Sequence, residues 1–209
     1  MPSYDALFNA LVTMLVTIDP PGLAPLFLAV TAGMNRAERK QVAVRSSIIA
    51  FFTLALFAVA GASILALFGI TLPAFRVAGG LLLFYIAFEM IFERRQERHE
   101  KSAERAITTD MIRNVAAFPL AIPLIAGPGA ISAAVLLSGT MPGPTGNVML
   151  VGIIALCIGA TFLVFLLSER VDRFLGETGR SILTRLLGVI LAALAVQFVA
   201  DGIKALMAA

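Results

Sequence analysis

Two long apolar runs in this chain are each broken near their middle by proline and glycine. The first, residues 6–32, contains Asp19-Pro20-Pro21-Gly22, and the second, residues 115–138, contains Gly127-Pro128-Gly129. Each run exceeds the ~20 residues that an α-helix needs to cross a bilayer. Proline has no N–H, so it removes the hydrogen bond to the carbonyl four residues earlier. Within hydrocarbon such irregular backbone is tolerated only where protein or a water-filled cavity covers it. Two interrupted spans in matching positions of two halves point to a binding site between them, near the bilayer midplane.

Composition supports the membrane reading. The chain has 209 residues, 59% of them hydrophobic and 14% charged, which excludes a soluble domain of ordinary make-up. Six apolar stretches, at about 6–32, 46–68, 73–92, 115–138, 148–168 and 186–207, use most of the length and leave no room for a separate soluble domain. The first lacks a basic leader and a small-residue cleavage site and is too long for a signal sequence, so it reads as a retained span. The expected fold is all-α, a polytopic membrane protein of six helices. The lone Cys157 reads as a buried thiol, and the lone His99 falls in a charged loop. With no Cys/His cluster, no P-loop, no membrane histidine and no paired membrane aspartates, neither an enzyme nor a bound cofactor is expected.

Charge placement sets the topology. Arg36, Arg39, Lys40 and Arg45 lie between the first two spans. Arg94, Arg95, Arg98, Lys101, Arg105 and Arg113 lie between the third and fourth. Arg170, Arg173, Arg180 and Arg185 lie between the fifth and sixth, leaving only Arg76 and Lys204 of the sixteen basic residues for the other side. Basic loops stay cytoplasmic, so both termini are expected to face outward. The basicity is then topology signal with some affinity for anionic lipid, and nucleic acid is not an expected partner.

The halves also resemble one another. Pro21-Gly22 matches Pro128-Gly129 at a spacing of 107, and Arg76-Val77-Ala78-Gly79 matches Arg185-Leu186-Leu187-Gly188 at a spacing of 109. Three spans per half is an odd number, so the second half enters from the opposite side and the repeat is inverted. The expected organisation is a first three-helix repeat at 1–92, a charged cytoplasmic linker at 93–114 and a second repeat at 115–209.

The breaks carry distinct chemistry. Pro20 and Pro21 deprive the carbonyls of Val16 and Thr17 of helical partners, and Pro128 does the same to Leu124. The helix restarting after each break presents free N–H groups, near residues 22–24 and 129–131, with partial positive charge that suits a carboxylate. Together the breaks at Pro21, Gly22, Gly127, Pro128 and Gly129 offer donors and acceptors for the two ends of a small zwitterion; a small anion or an ion pair would also fit. Asp19 is either an N-cap alone or a direct partner of an ammonium, Na⁺ or H⁺. Thr13 and Thr17 share a helical face with Asn9, lining a path or bonding between helices. Ser132 either contacts solute or bonds back to its own helix. Gln197, mid-depth in the sixth stretch, bonds between helices or contacts solute. Glu89 reads as an ion-paired or snorkelling end residue in preference to a proton carrier.

Asp19-Pro20-Pro21-Gly22 with Pro25 and Phe27, Arg76-Val77-Ala78-Gly79-Gly80, Pro119-Leu120-Ala121-Ile122-Pro123, Ala126-Gly127-Pro128-Gly129 and Arg185-Leu186-Leu187-Gly188 with Val196-Gln197-Phe198 resemble the MarC family of bacterial inner-membrane proteins. The resemblance covers nearly the whole chain. It implies six spans and membership of a larger group of small exporters and permeases that includes LysE-type amino-acid transporters; some MarC relatives are described as transporters of small neutral amino acids. Many relatives have Asn-Pro at the first break, where this chain has Asp19-Pro20. The expected function is a secondary transporter of a small solute, a neutral amino acid by preference, with Na⁺ or H⁺ as the coupling ion left open. The alternative is a passive channel or efflux permease. Aquaporins also oppose two half-helices, but theirs follow the second span of each triplet, whereas these breaks interrupt the first. The expected partners are the small solute and the bilayer, with oligomerisation left open.

Overall fold

The computed structural model describes residues 3–32, 34–92 and 116–208, which are helical with no strand among them. In chain order the elements are α1 Tyr4–Ile18, α2 Pro20–Val30, α3 Arg36–Leu67, α4 Leu72–Ile91, a π-helical segment Ala116–Ile125, α5 Pro128–Thr140, α6 Pro144–Leu166 and α7 Ser168–Met207. Five helical stretches are long and apolar enough to cross a membrane: Tyr4–Val30, Arg36–Leu67, Leu72–Ile91, Pro144–Leu166 and Thr178–Met207. This is the pattern of a polytopic membrane protein.

The sequence predicts a sixth span at 115–138. There the chain forms the π-helical segment and the 13-residue α5 in place of one long helix. Pro119, Pro123 and Pro128 each lack an N–H, so an unbroken α-helical ladder cannot run through them. The Ala126 N–H instead bonds the Ala121 carbonyl five residues back, at 2.8 Å, which is the π-helical spacing. The expected linker at 93–114, with His99, lies outside the described residues.

Two helices outrun their apolar stretches. The 32 residues of α3 extend about 48 Å at 1.5 Å per residue, beyond a hydrocarbon core of about 30 Å. Its charged first turns therefore stand clear of the lipid. The α7 helix is interrupted at Gly176, with φ 61° and ψ −178°, a conformation that glycine alone adopts readily. The charged turns before it are thereby set apart from the apolar span that begins at Thr178.

Lipid gives helices no hydrophobic reason to associate, so close packing must hold them together. The α4 and α7 helices run antiparallel at glycine contacts. A Cβ on Gly80 would stand 2.9 Å from the Ala195 carbonyl oxygen, one on Gly188 3.1 Å from that of Ala87, and one on Gly202 3.0 Å from that of Pro73. Any side chain at these positions would push the two backbones apart. Large apolar side chains such as Phe52, Leu56, Leu156, Leu186 and Val189 point outward, as expected where the solvent is lipid. Around this frame α3 packs on α5, α6 and the π-helical segment, while α1 and α2 pack on α6 and α7.

Candidate functional site

The chain turns from α1 into α2 on a single residue. Asp19 has φ 55° and ψ 63°, and it is the one non-glycine residue with positive φ among those described. Aspartate tolerates this left-handed conformation better than most residues because its short polar side chain bonds locally. Its N–H donates to the Leu15 carbonyl at 2.9 Å, ending α1, and its own carbonyl accepts from the Leu23 N–H at 3.2 Å, starting α2. Its Oδ1 accepts from the Gly22 N–H at 3.3 Å. Pro20 and Pro21 bring no N–H, so Gly22 carries the first donor of α2 that needs a cap. A Cβ on Gly22 would stand 2.8 Å from the Asp19 carboxylate carbon, so only glycine leaves room for the cap. The free donors expected at residues 22–24 are thus satisfied within the turn at Gly22 and Leu23. Asp19 is buried, with 5% of its surface exposed.

The second break is built differently. Gly127 precedes α5 and offers no side-chain cap. Ile131 N–H bonds the Gly127 carbonyl at 3.0 Å, and Pro128 has no N–H. Gly129 and Ala130 therefore present the uncapped N–H groups of this helix start, where the macrodipole adds partial positive charge. Gly129 abuts α4 and α1 together: a Cβ there would collide with Cδ1 of Ile86 and stand 3.4 Å from Cγ2 of Thr17.

That contact joins the two breaks. Thr17 lies two residues before Asp19, and Gly129 lies two residues after Gly127. Thr17, Asp19, Gly22, Gly129 and Ser132 are all buried there; Pro21 and Gly127 are half-buried and Pro128 is exposed. The Thr17 hydroxyl donates to the Thr13 carbonyl at 2.6 Å, while the fully buried Thr13 Oγ1 has no hydrogen-bond partner among the described residues. Asn9, expected on the same polar stripe, is exposed. Gln197 also stands apart: it is exposed, and its amide donates to Asp201 Oδ1 on its own helix at 2.9 Å.

Of the two expectations for Glu89, ion-paired or snorkelling, the snorkelling one is not met, although the residue lies two positions before the end of α4. It is 4% exposed, and it follows Ile86 by three residues, on the same face of α4. The residue that touches Gly129 is therefore one helical turn from a buried carboxylate. The available signal was its i+3 spacing from an apolar residue on the small-residue face of Gly79-Gly80. The site thus offers helix-terminal donors from α5 facing the end of α1, with Asp19 and Glu89 as buried acids near that contact. Donors of this kind hold an anionic group, whereas terminal carbonyls and carboxylates hold a cationic one.

The chain is 36% identical to a UPF0056 membrane protein of Aquifex aeolicus over 99% of this chain and 97% of the other. It is 36% identical to the UPF0056 membrane protein YvbG of Bacillus subtilis, with 96% and 95% covered. It is 34% identical to the UPF0056 inner membrane protein YhgN of Escherichia coli, with 96% and 97% covered. No solved structure matches it. Residues 4–207 match the sequence pattern described as MarC family integral membrane protein, and the chain belongs to that family.

Proposed function

We propose that this protein is a secondary transporter of a small zwitterion, a neutral amino acid by preference, driven by a Na⁺ or H⁺ gradient across the bacterial inner membrane. One observation carries the reading: Gly129, at an uncapped helix start, touches Thr17 at the end of α1 inside the bundle. The solute carboxylate meets the Gly129 and Ala130 N–H groups, and its ammonium meets the end of α1. Asp19 carries the coupling cation. The name of the Escherichia coli relative, an inner membrane protein, supports the location.

The same reading takes the π-helical segment with α5 as the sixth span and the halves as an inverted repeat. Its support is the pairing of α4 with α7. Gly80 approaches the carbonyl of Ala195, and Gly188 approaches the carbonyl of Ala87. Adding 108 to Gly80 and subtracting 108 from Ala195 gives the second pair, as a two-fold axis between the halves requires. That offset falls between the 107 and 109 of the sequence repeat. Two halves related in this way supply two alternative arrangements for alternating access.

Uptake of a labelled amino-acid panel into proteoliposomes tests the function. Accumulation above equilibrium under an imposed Na⁺ or pH gradient is expected for at least one small neutral amino acid. Flux that only equilibrates, whatever gradient is imposed, would instead identify a passive channel. No flux of any amino acid would end the substrate assignment.

Topology has its own test. The Arg39–Glu169 ion pair, 2.8 Å, ties the start of α3 to the α6–α7 junction, which agrees with both basic loops lying on one side. Single cysteines in a Cys157→Ser background should react with an impermeant reagent in intact cells at position 145 and not at position 99. Reaction at 99 alone would reverse the orientation. Thr145 serves because it is exposed, whereas neighbouring Gly143 has φ 90°, which a cysteine would strain.

A further inference from the structure

We propose that the cleft between the starts of α3 and α7 is a binding site for a phosphate group. The cleft has a volume of about 360 Å³ and is lined by Arg36, Arg39, Lys40, Ser168, Glu169 and Arg170, with Phe27 and Phe165 on its apolar side. Four cations thus face one carboxylate. Glu169 is engaged by Arg39 Nη1 at 2.8 Å. Glu38, also close by in sequence, is turned back into a capping box, accepting from the Asn35 N–H at 2.9 Å.

These cations sit in the first turns of two helices. Helix starts carry partial positive charge, so a basic residue there is disfavoured. The residues therefore stand where their own helices repel them, and a bound anion reverses the sign of that effect. Two observations point to a ligand. Arg39 Nε is buried with no hydrogen-bond partner among the described residues, although its Nη1 is paired. The start of α7 has no side-chain cap; the Arg170 and Val171 N–H groups bond the Leu167 carbonyl, leaving those of Ser168 and Glu169 to donate to an outside acceptor.

A phosphate group matches this set better than a single acceptor would. Its several oxygens can take the arginine forks and the helix N–H groups together. The far wall supports the same chemistry. Phe27 and Phe165 stack with ring centroids 4.4 Å apart and planes 9° from parallel, and both are buried. An apolar wall lowers the local dielectric and strengthens charged hydrogen bonds beside it. Phe27 lies eight residues beyond Asp19, about 12 Å along α2, so this cleft is separate from the contact between the two breaks. Free phosphate and a lipid phosphodiester share the required chemistry and differ in whether acyl chains accompany it.

The test uses the full chain in a neutral maltoside detergent. Cys157 is the one cysteine and is buried, so a thiol-reactive dye reports thermal unfolding. Inorganic phosphate and phosphatidylglycerol are titrated separately at constant ionic strength. At least one should raise the unfolding temperature in a saturable way. In Arg36→Gln/Lys40→Gln the half-saturating concentration should rise about tenfold or more, as expected for lost charge-assisted bonds. Arg45→Gln removes a charge from an exposed position of α3 outside the cleft and should change nothing. Should the double variant not fold, Arg170→Gln serves in its place. A response to phosphate identifies a soluble ligand's site, and a response to phosphatidylglycerol alone identifies a lipid headgroup site. No saturable response to either probe, or equal losses in Arg45→Gln and the cleft variants, would overturn the assignment.

Discussion

Leucine in place of Gly129 is expected to abolish solute flux in proteoliposomes while the protein still inserts and purifies as a folded species. Gly129 sits where three elements meet: its own helix start, Thr17 of α1 and Ile86 of α4. A single added methyl would already collide with Cδ1 of Ile86, the end of a flexible side chain that can turn aside. Gly129→Ala is therefore expected to retain a reduced flux, and Gly129→Ala/Ile86→Ala to recover most of it. Leucine adds three more carbons to a Cβ position that already has the Thr17 methyl at 3.4 Å as well as Ile86, so one side chain turning aside is not enough. It must push α5 from α1 or fill the space that the solute would occupy. The mutation removes no buried hydrogen bond, so the loss should fall on flux. Overpacking typically costs about 1–3 kcal/mol, which a multi-helix bundle absorbs by small shifts. The measurement is the initial rate of uptake beside thermal unfolding of the same preparation. Wild-type flux through Gly129→Leu would place the solute path elsewhere, and the Ile86 double variant separates crowding from a direct loss of solute contact.

The features legible in the sequence were those set by neighbouring residues. Asp19 before two prolines can be read as a cap because proline, aspartate and glycine fix their chemistry within four positions. The membrane character followed from length and hydropathy alone. What depended on helix rotation was not legible. Glu89 lies at the end of α4 as read, yet it turns inward and does not snorkel, because the glycine face of α4 is held against α5 and α7 by contacts at Gly79, Gly80 and Gly188. Gln197 looked like a core polar residue, yet the α7 face that meets Gly80 is the one bearing Ala195 and Val199, which leaves Gln197 outside. Asn9 differs: it shares the face of the buried Thr13 and Thr17 but lies one turn nearer the start of α1, where it is exposed. The starts of α3 and α7 were missed because an apolar stretch ends at the first charges, whereas a helix continues until its hydrogen bonds are capped. Asn35 provides that cap for α3, eleven residues before the apolar stretch begins. The π-helical segment required three prolines to be weighed together, since each alone is compatible with a kinked α-helix.

Asp19→Asn is expected to keep the fold and counterflow but lose gradient-driven accumulation. Asparagine caps a helix about as well as aspartate, and it tolerates the left-handed backbone at φ 55°. The turn between α1 and α2 should therefore persist, with the Gly22 N–H still received. What disappears is the negative charge, in a residue only 5% exposed. A buried carboxylate within a membrane span is costly to keep charged without a partner cation. Its neutral replacement removes the reason for a coupling ion to bind, while the solute contacts proposed at Gly129 and Ala130 would remain. Counterflow, which runs on a gradient of unlabelled solute and needs no ion gradient, should survive in the same vesicles in which driven uptake fails. Asp19→Ala separates the cap from the charge. It loses the cap, worth about 1 kcal/mol, and puts a residue with no local hydrogen bond into the left-handed region, a further ~1–2 kcal/mol. Its unfolding temperature should fall clearly below that of Asp19→Asn. Equal retention of driven uptake and counterflow in Asp19→Asn would reduce Asp19 to a cap, and the coupling role would then pass to Glu89, the other buried acid near the contact between the breaks.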